Sequence, residues 1–326
     1  MKHLILTATA LACMLAICAP AGGEDADALA RRILKAADRP VGLAHMPRCG
    51  DGGLAMALAG IDKDLRVHGQ DADHARVREA RRKADDQGLL GRRVWFDHGD
   101  LTRLLPVGRS ADLVVLTDLK ADELTPALAA EIRRVLHPWY GLAVLGDASG
   151  RLDEAALRKW AALISANVTT LGGAGRLVAV KATPLAGADD WPQWWHGPDN
   201  NAVSTDRAFR LPESVQWAGK PFFSTRIELP IVAAGRLFVL WNGHAMDSSP
   251  GEPNLAGLEG DGPLLTARAT GSGVRLWARR LTASAWSQAS RSTMVADGND
   301  LLVADGGRLL VLDQATGRQR RAVDSG

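Results

Sequence analysis

The sequence predicts two unlike parts, an α/β unit with a mostly parallel, helix-covered sheet and then an all-β unit. Two observations carry this expectation. Up to about residue 185, short apolar runs alternate with helical stretches, the pattern of repeated strand–helix–strand units. Beyond it helical periodicity disappears, and apolar runs are separated by Gly, Asn, Asp and Ser. The seam is marked by "ADDWPQWWHGPDNN" (188–201), which holds three of the ten tryptophans of the chain.

In the first part, the apolar run at 40–46 reads as a strand and 52–60 as a helix. Residues 65–69 read as a strand, and 72–88 as a helix that stops at Gly88. Strands are expected at 92–98 and 111–118. The helix at 125–138 has Thr125 to cap it and Pro126 at its first position, and stops at Pro138. A strand at 140–147 follows, then a helix at 152–166 with Leu157, Trp160, Ala161 and Ile164 on one face. Residues 168–182 read as two strands joined through a Gly-rich turn, which places one antiparallel strand at the edge of the sheet.

The N-terminus has a basic start, an apolar stretch from Leu4 to Ile17 and an Ala-x-Ala pattern at Ala19 and Ala21, the form of a secretory signal peptide. The apolar run is shorter than the ~20 residues of a spanning helix, so a membrane anchor is the lesser reading. Residues 1–21 are therefore expected to be removed, leaving no membrane span and an exported, periplasmic or extracellular protein. Two of the three cysteines lie in this segment, so Cys49 has no internal partner after cleavage. A net charge of +2 gives no electrostatic reason to expect nucleic acid as a partner. The eight histidines show no metal-ligand spacing, and no metal is expected.

In sheets of this kind the ligand crevice lies outside the carboxyl ends of the strands, where strand order reverses. Gly50-Asp51-Gly52 falls between the first strand and first helix, where glycine permits close approach and a helix N-terminus offers free N–H groups. Asp71 follows the second strand, where a carboxylate can accept both hydroxyls of a ribose. Asp100 follows the third, placed for an adenine amino group. Taken singly, these are a turn and helix caps; their order and spacing make them a candidate site.

"CGDGGLAMALA", "VHGQDADHARVREAR", "HGDLTRLLP", "ADLVVL" and "EIRRVLHPWYG" resemble the successive signatures of class I S-adenosylmethionine-dependent methyltransferases, over roughly residues 40–182. The resemblance implies a Rossmann-like fold with S-adenosylmethionine as cofactor. It also implies that Gly50 and Gly52 border the methionine end, with Asp51 among the cofactor-binding residues, that Asp71 holds the ribose, and that Asp100 and Leu101 flank the adenine. Three places depart from the family pattern: Met46 stands where an acid is usual, Arg48 where the first glycine is usual, and Trp139-Tyr140 replaces the first glycine of the usual Pro-Gly-Gly. Arg48 is expected either to point away or to fill the pocket and pair with Asp71 or another nearby acid. Asp118 and His98 lie near suitable strand ends, but no catalytic base is assigned.

In the second part, strands are expected within 235–243, 262–281, 292–305 and 307–323. Thr270-Gly271 and Thr316-Gly317 are 46 residues apart, or 44 if Gly273 is the equivalent of Gly317, close to the period of propeller blades. "LLVLDQATG" and "VRLWARRL" resemble strand units of quinoprotein-like β-propellers, and "DWPQWWHGPDNNAVSTD" resembles their opening segment. Trp191 and Trp194 are then expected to be wedges between blades or against the first unit. Without a vicinal cysteine pair in this part, bound pyrroloquinoline quinone is not expected. Residues 190–326 hold about three blades where closure takes four or more, so a truncated propeller is expected.

The expected organisation is thus a signal peptide (1–21), a methyltransferase-like domain (22–185) and incomplete propeller repeats (186–326). Three functions are compatible with it: methyl transfer by an exported protein, non-catalytic binding or scaffolding by a degenerate methyltransferase domain, and, least favoured, a quinone-linked oxidoreductase. The partner, a small molecule or a protein, is not legible in the sequence.

Overall fold

The structure, a computed structural model, describes residues 25–39, 41–208, 215–218, 230–241, 262–282 and 293–324. Residues 1–21, expected to be a signal peptide, lie outside these residues.

The first unit is built on a seven-stranded sheet of order β3-β2-β1-β4-β5-β7-β6. Its strands are β1 (Leu43–Met46), β2 (Arg66–Asp71), β3 (Val94–His98), β4 (Leu113–Leu116), β5 (Leu142–Asp147), β6 (Asn167–Leu171) and β7 (Arg176–Lys181). The first five are mutually parallel. The closing hairpin corrects one expectation: the antiparallel strand, β7, lies one place in from the edge, and β6 is outermost. Side chains explain the swap. The four middle residues of β7, Leu177 to Val180, are all buried, whereas no residue of β6 is buried. The apolar strand takes the place that is covered on both faces.

Helices α1 (Ala26–Ala37), α2 (Gly53–Ile61) and α3 (His74–Asp86) cover one face of β1–β3, and α4 (Pro126–Val135) and α5 (Glu154–Ala161) cover the opposite face of β4–β7. Helix α1 was not among the expected elements, though Leu29, Ala30, Ile33 and Ala37 give it a buried face at helical spacing. It ends at Asp38, which adopts a left-handed conformation at φ 52°. Thr125 caps α4 by accepting the Leu128 amide at 3.2 Å, and Asp73 caps α3 through the Ala75 amide at 2.7 Å.

The second part forms two four-stranded antiparallel meanders. One contains β8 (Ile231–Ala233), β9 (Arg236–Trp241), β10 (Leu264–Ala269) and β11 (Arg275–Arg280). The other contains β12 (Met294–Asp297), β13 (Asp300–Asp305), β14 (Arg308–Asp313) and β15 (Gln319–Asp324). They share one core that includes Phe238, Trp277, Leu301 and Leu312. The expected three blades reach beyond the described residues, which hold two such sheets.

The two sheets repeat one docking contact. Gly273 and Gly317, in the β10–β11 and β14–β15 turns, have φ of +69° and +67°, and each lies against an indole ring, of Trp217 and Trp277 respectively. A Cβ on either would fall within 2.7 Å of ring atoms, so glycine is required for both space and torsion. Each indole N–H donates to the carbonyl three residues before its glycine, Trp217 to Thr270 at 2.7 Å and Trp277 to Gln314 at 3.0 Å. The glycine-covering rings are thus Trp217 and Trp277, two tryptophans outside the 191–195 cluster. Trp191 pairs through its backbone with Val232, and the neighbouring Pro192 carbonyl accepts the Ala296 amide, so this segment threads between β8 and β12.

The β unit docks at the amino ends of the parallel strands. His137, on the turn before β5, lies 3.2 Å from the Thr270 hydroxyl and stacks on Tyr140, over whose ring Arg236 sits at 4.6 Å. Gln216 donates to the Gly108 carbonyl just before β4. The carboxyl ends of β1 and β4 are left at the far end of the sheet.

Candidate functional site

The connection from β1 runs through α2 to β2 on one side, while that from β4 runs through α4 to β5 on the other. Order thus reverses between β1 and β4, which places the ligand crevice outside the carboxyl ends of those strands.

Two expected residues, Gly50 and Asp71, meet on its β1–β2 side. The Gly50 amide donates to Asp71 Oδ2 at 3.0 Å, and the Asp73 amide donates to Asp71 Oδ1 at 2.9 Å. Asp71 is only 4% exposed. Gly50 has φ +57° with open space where a Cβ would stand, whereas Gly52, at φ +80°, is pressed against Ala80 and Phe96. The two glycines thus differ in role. Gly52 lets the loop pack against β3 and α3, and Gly50 presents bare backbone to the crevice.

Asp51 turns outward: it pairs with Lys83 of α3 at 2.6 Å and accepts the Gly53 amide. The Lys83 ammonium, with the Gly53 amide, holds its carboxyl below the usual range. Asp100 is exposed and binds the amide and hydroxyl of Thr102, an arrangement that also lowers its pKa. Leu101 packs, partly buried, against the core under α4 and α5. His98 stacks on His74 with ring centroids 3.7 Å apart.

The loop after β3 is tied to β2 by a residue that the sequence reading passed over. Gln70 is fully buried and donates to the carbonyls of Asp100 at 2.6 Å and Arg103 at 3.3 Å, while its own carbonyl accepts the Leu105 amide at 2.9 Å. Nothing in the polar run of β2, Arg66 to Asp71, sets it apart in the sequence.

Arg48 fills the gap between β1 and β4. Its guanidinium donates to both carboxylate oxygens of Glu123 and to the Asp118 carbonyl at 3.0 Å, and lies 3.3 Å from Asp118 Oδ1. Glu123 sits on a single 3-10 turn (Ala121–Glu123) and also accepts the Lys120 amide at 2.9 Å. The Arg48 and Glu123 side chains are 18% and 21% exposed. Burial opposes the charge on each, yet the bidentate pairing raises the Arg48 pKa and lowers that of Glu123. Burial raises the carboxyl of Asp118 against the pull of Arg48. Of the two expectations for Arg48, the structure shows the pairing with nearby acids, which are Glu123 and Asp118 and not Asp71. Met46, where an acid was missed, is buried in the core below.

Behind the site, the face of β1–β3 turned away from α1–α3 is polar. His45 Nδ1 lies 3.0 Å from His68 Nδ1, and His68 Nε2 lies 3.1 Å from Asp97, which Arg81 also holds at 2.8 Å. Burial, with the adjoining His68, pushes His45 down to about 3, and burial also lowers His68 against the pull of Asp97. Among the described residues no group of three or more His, Cys, Asp or Glu side chains could hold a metal ion, and no helix is long and apolar enough to cross a membrane.

Residues 48–139, from the glycine loop to just past α4, match the family model of a methyltransferase domain. No curated protein matches the chain. The chain is similar to a solved magnesium protoporphyrin IX methyltransferase from Synechocystis PCC 6803 with bound S-adenosylmethionine, at 20% identity over 48% of this chain and 78% of that one, with a TM-score of 0.39. A methyltransferase from Aquifex aeolicus gives 16% identity over 47% and 88%, with a TM-score of 0.38. A Galdieria sulphuraria protein assigned as a sarcosine dimethylglycine methyltransferase gives 17% identity and a TM-score of 0.33. The match covers 37% of this chain and less than half, 44%, of that one. Scores of this size add nothing to the strand order. That order and the domain match give the first unit a Rossmann-like methyltransferase fold.

Proposed function

We propose that the chain is an S-adenosylmethionine-dependent methyltransferase whose cofactor crevice lies at the carboxyl ends of β1, β2 and β4. The observation that carries this reading is the bond from the Gly50 amide to Asp71 at 3.0 Å, beside the point where strand order reverses and inside the methyltransferase-domain match.

The residues present fit the nucleoside part of such a ligand. Each Asp71 oxygen accepts one amide, and a carboxylate has about four acceptor positions, so capacity remains for a ribose diol. Gly50 leaves space for close approach, Asp100 is exposed beside the loop held by Gln70, and Leu101 stands next to it. When bound, the cofactor supplies an electrophilic methyl group. The chain's own part is to orient the nucleoside through Asp71 and the loop at 99–105. No side chain is assigned as a proton acceptor.

One observation favours the second reading, a binding or scaffolding protein without catalysis: Arg48 occupies the β1–β4 gap. Calorimetry of the full chain with adenosine and with S-adenosylmethionine tests the proposal. Binding of either supports the crevice, and binding of neither leaves the scaffold reading.

The same proposal takes residues 1–21 as an export signal, 22–185 as the methyltransferase-like domain and 186–326 as propeller repeats. The blade reading is supported by the glycine–tryptophan contact repeated between Gly273 and Gly317. Mass spectrometry of the secreted protein, reading its first residue, tests the export step.

A further inference from the structure

We infer that Arg48 sets the ligand preference of the crevice by closing its β1–β4 gap to any ligand group that carries positive charge. The inference rests on the nucleoside reading of the crevice and adds which nucleosides it takes.

The gap is where a ligand would extend beyond its nucleoside, because it joins the two strands at which order reverses. Arg48 leaves the loop two residues past β1, and Asp118 stands two residues past β4. The guanidinium therefore spans the gap from wall to wall. It is held by a planar two-bond pairing with Glu123, a carbonyl of Asp118 and the Asp118 carboxylate. Bidentate pairs of this kind are stronger and more directional than single contacts, and partial burial reduces their screening. Glu123 is fixed in turn by the Lys120 amide.

Asp118 and Glu123 are the acids that a ligand ammonium would seek here, and both are already engaged by a cation of the chain. S-adenosylmethionine carries an ammonium and a sulfonium besides its carboxylate, a net charge of +1, and its ammonium finds both acids already paired with Arg48. To extend into the gap it must dislodge Arg48, and its positive groups meet a like charge as they approach. Adenosine has no such group, and the Gly50–Asp71 side remains open to it. Arg48 therefore weakens the hold on S-adenosylmethionine relative to an uncharged adenine nucleoside, and loss of the guanidinium strengthens it. Arg48→Gly frees two carboxylates for the ligand ammonium.

The test is calorimetry of the full-length parent, Arg48→Gly and Arg48→Gln with adenosine and with S-adenosylmethionine, each protein first shown to be folded by its melting transition. The expected result is that Arg48→Gly tightens S-adenosylmethionine by roughly tenfold or more, the scale of a released charge pair, with adenosine within about twofold of the parent. Arg48→Gln keeps much of the bulk without the charge and should recover part of the gain; it stands in if the glycine variant does not fold. A parent that binds S-adenosylmethionine as tightly as both variants overturns the inference and leaves the nucleoside reading intact. Failure of all three proteins to bind either ligand overturns the nucleoside reading, and the inference with it.

Discussion

The Gly50 amide and the Asp71 carboxylate meet at 3.0 Å across the carboxyl ends of β1 and β2. One bond thus fixes the glycine loop to the acid that the ligand would use. Asp71 has a structural task, holding the Gly50 and Asp73 amides, and spare capacity for a ligand.

Asp71→Ala is expected to weaken adenosine binding by roughly 1–3 kcal/mol, the cost of leaving ligand hydroxyls unpaired in a closed site. Calorimetry of parent and variant reads it. Equal affinity in the two would remove Asp71 from the site.

Trp277 is 8% exposed, and its ring covers the Gly317 turn of the neighbouring sheet. Trp277→Ala should lower stability by about 3–5 kcal/mol, as for other large-to-small changes in a packed core. A chemical denaturation midpoint measures it. A loss below about 1 kcal/mol would show that the two sheets do not depend on this contact.

Burial, with Asp71 beside it, pushes the Cys49 thiol up to about 12, and the residue is 5% exposed. Both the thiolate fraction and access are low, so the native protein should resist a disulfide-exchange reagent at pH 8 and react once denatured. Rapid labelling of the native state would contradict the packing of the glycine loop.

Asp112 accepts the Gly42 and Leu43 amides where the two units meet, and burial raises its pKa to about 6. Because the folded pKa is raised, the stability this group contributes is full below about 4 and is lost as pH rises through about 6. His45 and His137 act oppositely: burial lowers both to about 3, so their contribution is present above about 6.5 and is lost as pH falls. The histidine terms cancel when parent and Asp112→Asn are compared at one pH. The variant should therefore gain on the parent in melting temperature between pH 4 and pH 7. A difference that is flat, or that runs the other way, would contradict the buried carboxyl.

Much of the first unit was legible because its pattern is local. Thr125 and Pro126 announce α4, and the apolar runs of β1, β4 and β5 read directly as strands. The order of β6 and β7 was not legible, because it depends on which strand can tolerate cover on both faces. The meeting of Gly50 and Asp71 followed from their places after adjacent strands. The outward turn of Asp51 did not, since its partner Lys83 lies on another helix. Glu123 was also hidden: it reaches Arg48 from 75 residues away, with no pattern linking the two. Trp191 and Trp194 stand out in the sequence by clustering, yet the docking rings are the isolated Trp217 and Trp277, defined only by the glycines they cover.

The measurement that tests the central claim most directly is hydrogen–deuterium exchange of the full chain with and without saturating adenosine, with Asp71→Ala as control. Slowed exchange is expected in peptides covering residues 47–53 and 99–105, with no such slowing in the control. Protection confined to other segments, or none at saturation, would contradict a nucleoside crevice at the carboxyl ends of β1 and β2.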